Sequence, residues 1–518
     1  MSGRLHFKIV SICLVWLGVS GNCWLLAQSR GTIELEFRDQ QTDSPLHCRV
    51  KILSAEGKAQ RVRGALFQQG WNLLEGSASF FGRPGDYTFQ AFHGPQYSGA
   101  SGGFTLDRKS EAQELVRLPR HADLSLEGWV GGDLLSYVPA KETLRWLSAE
   151  DLATAVVVAD DLQIGQVDAP EEMLLHTDDG ELWITQRSYV DARPESGLIL
   201  HHWLPPAEVP STLSSSRLLV MAKQTEPAGD ALSVHAEIGQ LWARDVPIWL
   251  ASGKIDSIQL LGPHLTLDGQ RATAVEPLMA VEPERFRGGR RAGRIVEFLY
   301  WQLLECGLRI PPTAGSGFGR NSSPLGYNRI YAYAPSANDP GRRAAAWWQA
   351  VRSGQSFVTN GPLLRATING EVPGKVFTAA AGESIESDIA LTLTVSDPVE
   401  YLEVVFNGAT LYRARLDEYA RQGGKIPVQT IRESGWLMIR VVTERDETYR
   451  LATTAPYYFE FGGQPRVSAA AVSYFQDWLE KSAQQITTQG EPAGVAAAPY
   501  LTAARQFWSD LAEQATTP

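Results

Sequence analysis

The sequence predicts an α/β domain between two β-rich modules, followed by a helical tail. Three observations support this fold class. Short runs of alternating apolar and polar residues occupy both flanks, apolar runs alternate with helix-like stretches in the middle, and two amphipathic stretches follow Pro465. Because the chain has 518 residues, of which 44% are hydrophobic, it can form several cores.

Residues 28–118 are expected to form a small β-sandwich. The runs TIELEF, HCRVKIL and RPGDYTFQAF read as strands, and Pro84-Gly85-Asp86 marks a turn. The stretch PGDYTFQAFHGPQYSG resembles carboxypeptidase-regulatory-like or transthyretin-like modules. That resemblance implies a β-sandwich module placed ahead of a secreted domain.

Residues 119–345 are expected to form the α/β domain. Helix-like LRWLSAEDLATA leads into the strand VVVADD, and helix-like VEFLYWQLLECG leads into RIPPTAGSG. Further strands are predicted in GLILHHW, HAEIGQLW and IDSIQLLGPH. Several of these runs end in polar residues, and the ends of parallel strands meet on one face in barrel-like α/β folds.

Residues 346–465 return to a strand pattern in TLTVSDPVEYLEVVFNG, GWLMIRVVTERD and YYFEFGG, which predicts a second β-sandwich. Residues 466–518 contain two amphipathic stretches, VSYFQDWLEKSAQQI and APYLTAARQFWSDLAEQA. The segment TTQGEPAG between them reads as a linker. We expect these two helices to pack on a neighbouring domain.

Residues 1–27 read as an export signal. Arg4 and Lys8 precede an apolar run, residues 9–19, that is too short to span a bilayer, and cleavage after Ala27 fits the pattern. The rest of the chain has no apolar run of membrane-spanning length. We therefore expect a periplasmic or extracellular protein without an integral membrane segment after signal removal.

The charge of the chain argues against a nucleic-acid partner, and its cysteine content leaves two possible states for the thiols. The net charge is −11, and the one basic cluster, residues 285–291, is too small for the broad basic surface that nucleic acids require. Cys48 and Cys306 are the cysteines left after cleavage. They could pair in an oxidising compartment or remain two buried thiols, since they lie in different predicted domains.

The residues that could carry chemistry are ligand-type side chains of the α/β domain. They are Asp133, Asp160, Asp161, His201, His202, His235, Glu237, Asp256 and His264. His235 and Glu237 are two positions apart, so on a strand both point to one face, whereas His201 and His202 point to opposite faces. No nucleophile elbow or phosphate-binding loop is present, and GSGFG reads as a tight loop.

A family resemblance accounts for this pattern. GWVGGDLLSYV followed by LSAEDLATAVVV resembles the first strand and helix of CehA/McbA-type metallohydrolases in the PHP (polymerase and histidinol phosphatase) superfamily. The most specific further piece is GQSFVTNGPLL, and the resemblance covers roughly residues 120–375. It implies a distorted α/β barrel, flanked here by the two β-sandwich modules, with a metal site at its strand ends.

The chain departs from the family at the metal-binding residues. The family's G-D-L-H-x-H motif aligns on Gly132-Asp133-Leu134, which places Leu135 and Tyr137 at the two histidine positions. The resemblance therefore leaves a residual ligand set, if any, of Asp133, His201 or His202, His235, Glu237 and His264. The cofactor expected is none or one divalent transition metal such as zinc.

Two functional hypotheses follow. In the first, the hydrolytic centre is degenerate. The protein then binds a small anionic or carbohydrate ligand or has a structural role at the cell envelope. In the second, a reduced metal site still works as a phosphoesterase or as an amide or ester hydrolase, with Glu237 or Asp133 as base. A variant of the first treats the barrel as a scaffold and the β modules as the parts that bind partners.

Overall fold

The computed structural model describes residues 30–159, 172–177, 180–193, 196–205, 209, 213–225, 232–279, 281, 286–335, 343–489 and 491–518. The predicted signal segment, Asp160 and Asp161 lie outside these residues. Within them the chain is rich in β-sheet and has eight helices, two of them at the carboxyl end. Of the predicted fold class, the high content of β-sheet and the helical tail are confirmed.

The first module consists of two sheets around one core. Its strands are β1 (Gly31–Asp39), β2 (His47–Ser54), β3 (Ala59–Gln60), β4 (Leu66–Gln68), β5 (Trp71–Glu75), β6 (Ser77–Gly82), β7 (Gly85–Phe92), β8 (Ala100–Leu106) and β9 (Glu111–Leu118). One sheet has the order β6-β1-β9 and the other β4-β5-β2-β7-β8, with β3 on β2. Alternate residues such as Leu35, Phe37, Val50 and Ile52 are fully buried between them.

The middle of the chain alternates strands and helices. Its elements are β10 (Trp129–Ser136), α1 (Ala140–Ala149), β11 (Thr154–Ala159), β12 (Glu172–Thr177), β13 (Gly180–Val190), β14 (Leu198–His201), α2 (Ser215–Lys223), β15 (His235–Ile238), α3 (Val246–Ala251), β16 (Ser257–Leu261), α4 (Arg291–Glu305), β17 (Pro312–Ala314), β18 (Arg329–Tyr333) and α5 (Arg343–Arg352). The first of these helices begins and ends earlier than predicted, because β11 already starts at Thr154.

The remaining elements form the second β-rich region and the tail. They are β19 (Ser356–Thr359), β20 (Leu363–Ile368), β21 (Val376–Ala379), β22 (Ile385–Ser387), β23 (Ile389–Thr394), β24 (Val399–Phe406), β25 (Ala409–Ala414), α6 (Leu416–Arg421), β26 (Gln429–Ile431), β27 (Gly435–Thr443), β28 (Leu451–Thr454), β29 (Tyr457–Phe461), α7 (Ala469–Thr488) and α8 (Glu491–Glu513). Helix occupies most of the predicted linker between the last two helices, where the sequence suggested a loop.

One sheet of 16 strands joins the middle of the chain to the second β-rich region. Its order is β17-β16-β15-β14-β13-β11-β10-β18-β19-β28-β27-β24-β25, with β12 on β13, β29 on β27 and β21 on β29. Strands β10, β11, β13, β15, β16 and β17 run in one direction, and β14 runs against them. The sheet therefore continues across the expected boundary at residue 345.

The far edge of this sheet returns to β10. The backbone N–H of Gly317, just after β17, donates to the carbonyl of Leu135 at 2.9 Å, and the N–H of Tyr137 donates to the carbonyl of Phe318 at 2.9 Å. Ser136 and Phe318 form a parallel bridge. These bonds join the segment after β17 to the end of β10.

Gly132, one of two glycines in β10, lies against a tryptophan of α5. A Cβ atom at Gly132 would lie 2.5 Å from the ring of Trp347 on α5 and 2.8 Å from Thr154. The Trp347 indole Nε1 also donates to the carbonyl of Val130 at 3.1 Å. The glycine therefore admits a tryptophan of α5, and the close approach serves packing.

The GQSFVTNGPLL segment links β19 to β28. The Asn360 side-chain amide donates to the carbonyl of Tyr449 at 3.2 Å, and its Oδ1 accepts from the N–H of Leu451 at 2.8 Å. Arg450 Nε donates to the Asn360 carbonyl at 2.7 Å. This most specific part of the family resemblance thus has a structural role at the junction in the sheet.

Arg440 is the main buried charge where α4 meets the second β-rich region. Its guanidinium contacts Glu297 of α4 at 2.5 Å and Glu403 of β24 at 2.6 Å, and the Arg440 and Glu297 side chains are about 90% buried, with Glu403 fully buried. A buried pair that loses one partner leaves an uncompensated charge in a low-dielectric interior. The packing of α4 on the sheet therefore depends on this arginine.

Replacing Arg440 should destabilise the protein far more than replacing an exposed arginine. Arg440→Met leaves the buried Glu297 without a cation and leaves Glu403 with Arg413 as its ion-pair partner. We therefore expect a loss of about 3–5 kcal/mol in the free energy of unfolding. The matched control is Arg505→Met, whose partner Glu480 is half exposed, and there the loss should be at most about 1 kcal/mol. Urea unfolding followed by tryptophan fluorescence measures both, and equal losses would contradict this account.

Cys48 and Cys306 are both buried free thiols, in separate cores. Of the two outcomes that the sequence left open, the structure has the unpaired one. Burial raises the pKa of each thiol, and only the thiolate is a good nucleophile.

A chain that begins after residue 27 should therefore not react with Ellman's reagent while it is folded. In denaturant the same chain should release two equivalents of thionitrobenzoate, and Cys48→Ser or Cys306→Ser should each remove one. Fast labelling of the native protein would show that a thiol is accessible.

Candidate functional site

The candidate ligands of β14 and β15 lie side by side in the interior of the curved sheet. His201 and His235 are direct cross-strand partners, so with Glu237 two positions further they share one face. All three side chains are fully buried. His201 ends β14 and His235 begins β15, which places both histidines at the amino end of the parallel strands.

Glu237 is held by neutral donors from the next two strands. Ser257 Oγ donates to Glu237 Oε2 at 3.0 Å, Gln259 Nε2 donates to Oε1 at 2.9 Å, and the Thr313 hydroxyl also donates to Oε2. These donors are fully buried. They occupy same-face positions of β16 and β17, because Ser257 is the register partner of Glu237 and Thr313 that of Gln259.

His235 connects this carboxylate to the surface arginine of α5. Burial lowers the pKa of His235 well below its ordinary value, and the charges of His201 and Arg352 lower it further, so the ring is neutral. Arg352 Nε donates to Nδ1 at 3.3 Å, which leaves the proton on Nε2, 2.7 Å from Ser257 Oγ. The hydrogen bonds therefore run in one direction, from Arg352 through His235 and Ser257 to Glu237.

Trp348 of α5 covers the histidines. Its ring centre lies 5.2 Å from that of His201, 5.0 Å from that of His235 and 4.7 Å from that of His202. His202 follows the strand with φ +59° and is half-buried. Of the two adjacent histidines, His201 is fully buried and His202 is half-buried, and both contact Trp348.

Asp133 has a different environment. Its Oδ1 accepts from the backbone N–H groups of Leu135 at 3.0 Å and Ser316 at 2.9 Å, and its Oδ2 accepts from the N–H of Gly326 at 2.7 Å. Burial raises the pKa of this carboxyl, and these hydrogen bonds offset part of the shift. The side chain thus organises the loop between β17 and β18.

Leu135 and Tyr137, which the family resemblance aligns with two histidines, are packing residues. Leu135 is 3% exposed and approaches Gly315 so closely that a Cβ there would lie 2.6 Å from the Leu135 Cβ. Tyr137 is half-buried, and the guanidinium of Arg320 lies 3.8 Å from its ring centre. Neither side chain offers a metal the imidazole nitrogen found in the family motif.

His264 lies three residues after β16, at the opposite end of the parallel strands from His201 and His235. It is buried against the edge of Trp242, 5.3 Å between ring centres, and burial lowers its pKa to about 3. Asp256 contacts Lys223 and accepts from the N–H of Ala236.

The structure therefore brings together His201, His235 and Glu237, and in the described residues neither Asp133 nor His264 bonds to them. The same residues contain no group of three or more His, Cys, Asp or Glu side chains arranged to hold a metal ion. Sequence reasoning missed Gln259, Thr313, Trp348 and Arg352. The same-face spacing of β16 could have indicated Ser257 and Gln259.

Comparisons with known proteins give no family. No family model matches the chain, and no curated protein matches it. Three solved structures show weak likeness: a Streptococcal ancillary pilin (14% identity, 21% of this chain, 36% of that chain, TM-score 0.15), the Bacillus anthracis TIE protein (13%, 33%, 28%, 0.14) and a Parabacteroides merdae β-glucuronidase (8%, 81%, 61%, 0.15). The chain thus spans about a third of the first two, and these scores establish no shared fold.

Because burial lowers the pKa values of His235 and His264, we expect the protein to lose stability in acid. When the pKa of a histidine is lower in the folded protein than in the unfolded chain, the unfolded chain takes up the proton at a higher pH. The free energy of unfolding is therefore at its full value above the unfolded pKa of about 6.5 and falls as the pH drops below it. For His264 the loss extends towards its folded pKa of about 3. Each histidine contributes a slope of up to about 1.4 kcal/mol per pH unit.

Urea unfolding at pH 7, 6 and 5 tests this. His235 and His264 together make the free energy of unfolding fall with decreasing pH, and His264→Gln should remove about half of that slope. His121→Gln, at an exposed site, should leave the slope unchanged. An identical slope in wild type and His264→Gln would show that His264 takes up its proton without cost in the folded state.

Proposed function

We propose that the protein is an exported, non-catalytic member of the PHP-like metallohydrolases, whose α/β barrel has lost its hydrolytic centre and binds a ligand or partner. The observation that carries this proposal is the state of β10. Its retained acid, Asp133, is engaged by three backbone N–H groups, and Leu135 packs in the core where the family keeps a histidine.

The closure of the sheet supports the barrel part of the proposal. Six strands with one direction, interrupted by the reversed β14, return to β10 through the bonds of Gly317 and Phe318. A closed sheet of this kind presents the carboxyl ends of its strands on one face. Leu135 and Tyr137, at the end of β10, and His264, after β16, lie towards that face.

The metal implied by the family does not fit this face. Both Asp133 oxygens already accept strong hydrogen bonds, and an aliphatic side chain has no lone pair to donate. Because a ligand would have to displace the backbone donors of the loop, we derive no hydrolytic step there. The exposed Arg320 beside Tyr137 instead brings positive charge to this edge, which favours an anionic ligand.

The alternative is an active hydrolase with a reduced metal site. The proximity of His201 to Glu237, 3.8 Å between Nε2 and Oε1, favours it. However, both side chains are fully buried, and a catalytic carboxylate or metal must reach a substrate. This burial makes catalysis by these residues the weaker hypothesis.

Restoring the missing ligands tests the proposal. Residues 135 and 137 are two positions apart, so Leu135→His with Tyr137→His presents both rings on one face. We expect this double variant to bind zinc at least about tenfold more tightly, measured by calorimetry, than the control Leu135→Gln with Tyr137→Gln. It should hydrolyse little nitrophenyl phosphate or nitrophenyl acetate, because the other metal ligands and their supporting groups are absent.

Two results would change this conclusion. Metal-dependent turnover by the unmodified chain that disappears in Asp133→Asn would show an active centre and refute the proposal. Equal zinc affinity in the histidine and glutamine double variants would mean that Leu135 and its neighbours fill the former site completely. The barrel would then be a scaffold for the β-rich modules.

A further inference from the structure

The amino end of the sheet contains a buried carboxylate that no lysine or arginine among the described residues balances. Glu237 is fully buried, and the groups that donate to it, Ser257, Gln259 and Thr313, are neutral. In the part of the chain that the structure describes, its one ion-pair neighbour is His201 at 3.8 Å, and no Lys or Arg nitrogen lies within 4 Å. An uncompensated buried charge costs several kcal/mol.

Two further polar groups beside Glu237 are unsatisfied. Neither ring nitrogen of the fully buried His201 has a hydrogen-bond partner among the described residues, although Nε2 faces Glu237 Oε1. Gln259 donates its amide nitrogen to the same Oε1, and its own Oε1 has no partner. Buried polar atoms are rarely left in this state, so the three groups call for one common partner.

We propose that His201, Glu237 and Gln259 bind a single divalent transition-metal ion at the amino end of the sheet, away from the position that the family resemblance implies. This inference goes beyond the proposed function, which concerns the opposite end of the strands. The ligand types, an imidazole nitrogen and two oxygens, are those that zinc and its first-row neighbours accept.

The geometry allows this with one amide rotation. A half-turn of the Gln259 amide exchanges its nitrogen and oxygen, which look alike except through their hydrogen bonds, and puts its oxygen 2.9 Å from Glu237 Oε1. Two ligand atoms bonded to one ion at about 2.0–2.2 Å lie roughly 3–4 Å apart. Both the 2.9 Å oxygen pair and the 3.8 Å His201 to Glu237 separation are close to that range.

Such an ion would be structural. His201, Glu237 and Gln259 come from the three neighbouring strands β14, β15 and β16, and Trp348 covers His201. The ion would balance the Glu237 charge and fasten the reversed strand to its neighbours. Because the ligands are closed off from solvent, the site should load during folding and exchange slowly afterwards.

The experiment compares metal content in matched variants. The chain is unfolded in urea with a chelator, refolded with zinc or cobalt(II), desalted, and measured by plasma emission and, for cobalt, by its visible d–d absorption. We expect about one equivalent in the wild type and in His264→Gln. We expect a loss of at least tenfold in Glu237→Gln and His201→Gln, with circular dichroism showing that these variants are folded.

Other outcomes overturn the inference in different ways. Less than about a tenth of an equivalent in the refolded wild type would show that no metal ion is bound at Glu237 and would reject the inference. Metal lost in Asp133→Asn or His264→Gln but kept in Glu237→Gln would place the ion at the carboxyl end and would refute the proposed function as well. If Glu237→Gln and His201→Gln do not fold, Gln259→Leu is the variant to measure, because it keeps the carboxylate and the imidazole. It should lower the affinity for the metal ion at least tenfold. Unchanged affinity would reject the three-ligand site.

Discussion

The hydrogen-bond ladders that hold β19 between β18 and β28 are the constraint on which the arrangement of the molecule depends. They make the central sheet and the second β-rich region one continuous sheet, so neither part can move without breaking backbone hydrogen bonds. They also fix α5, which connects β18 to β19, across the interior of the curved sheet. Asn360 reinforces the ladder by supplying side-chain bonds where the strand ends.

The position of α5 in turn determines the interior. Trp347 enters beside Gly132, Trp348 covers the histidines, and Arg352 hydrogen-bonds to His235 and to Ser233. One helix therefore closes the amino end of the parallel strands with two large rings and one cation. The polar groups beneath it are isolated from water, which makes each unmatched charge or donor among them energetically important.

The sequence predicted what depends on local pattern. Strand patterns indicated fewer than half of the strands, including long ones such as β1, β24 and β27. The two-residue spacing of His235 and Glu237 correctly placed both on one face. It could not reveal partners that are distant along the chain. Asp133 seemed a free ligand because its donors, Ser316 and Gly326, are 183 and 193 residues away, and sheet register brings them there.

The interior of the central sheet holds two buried carboxylates, Asp133 and Glu237, and they differ in how they are stabilised. Asp133 is stabilised by backbone dipoles: three N–H groups point at it from a loop whose conformation the carboxylate itself maintains. Among the described residues, Glu237 has neutral hydroxyl and amide donors and no lysine or arginine partner. Neutral donors solvate a carboxylate without cancelling its charge, so a bound cation would have a larger effect at Glu237 than at Asp133. The chemistry still open in this fold therefore lies at the amino end of the strands.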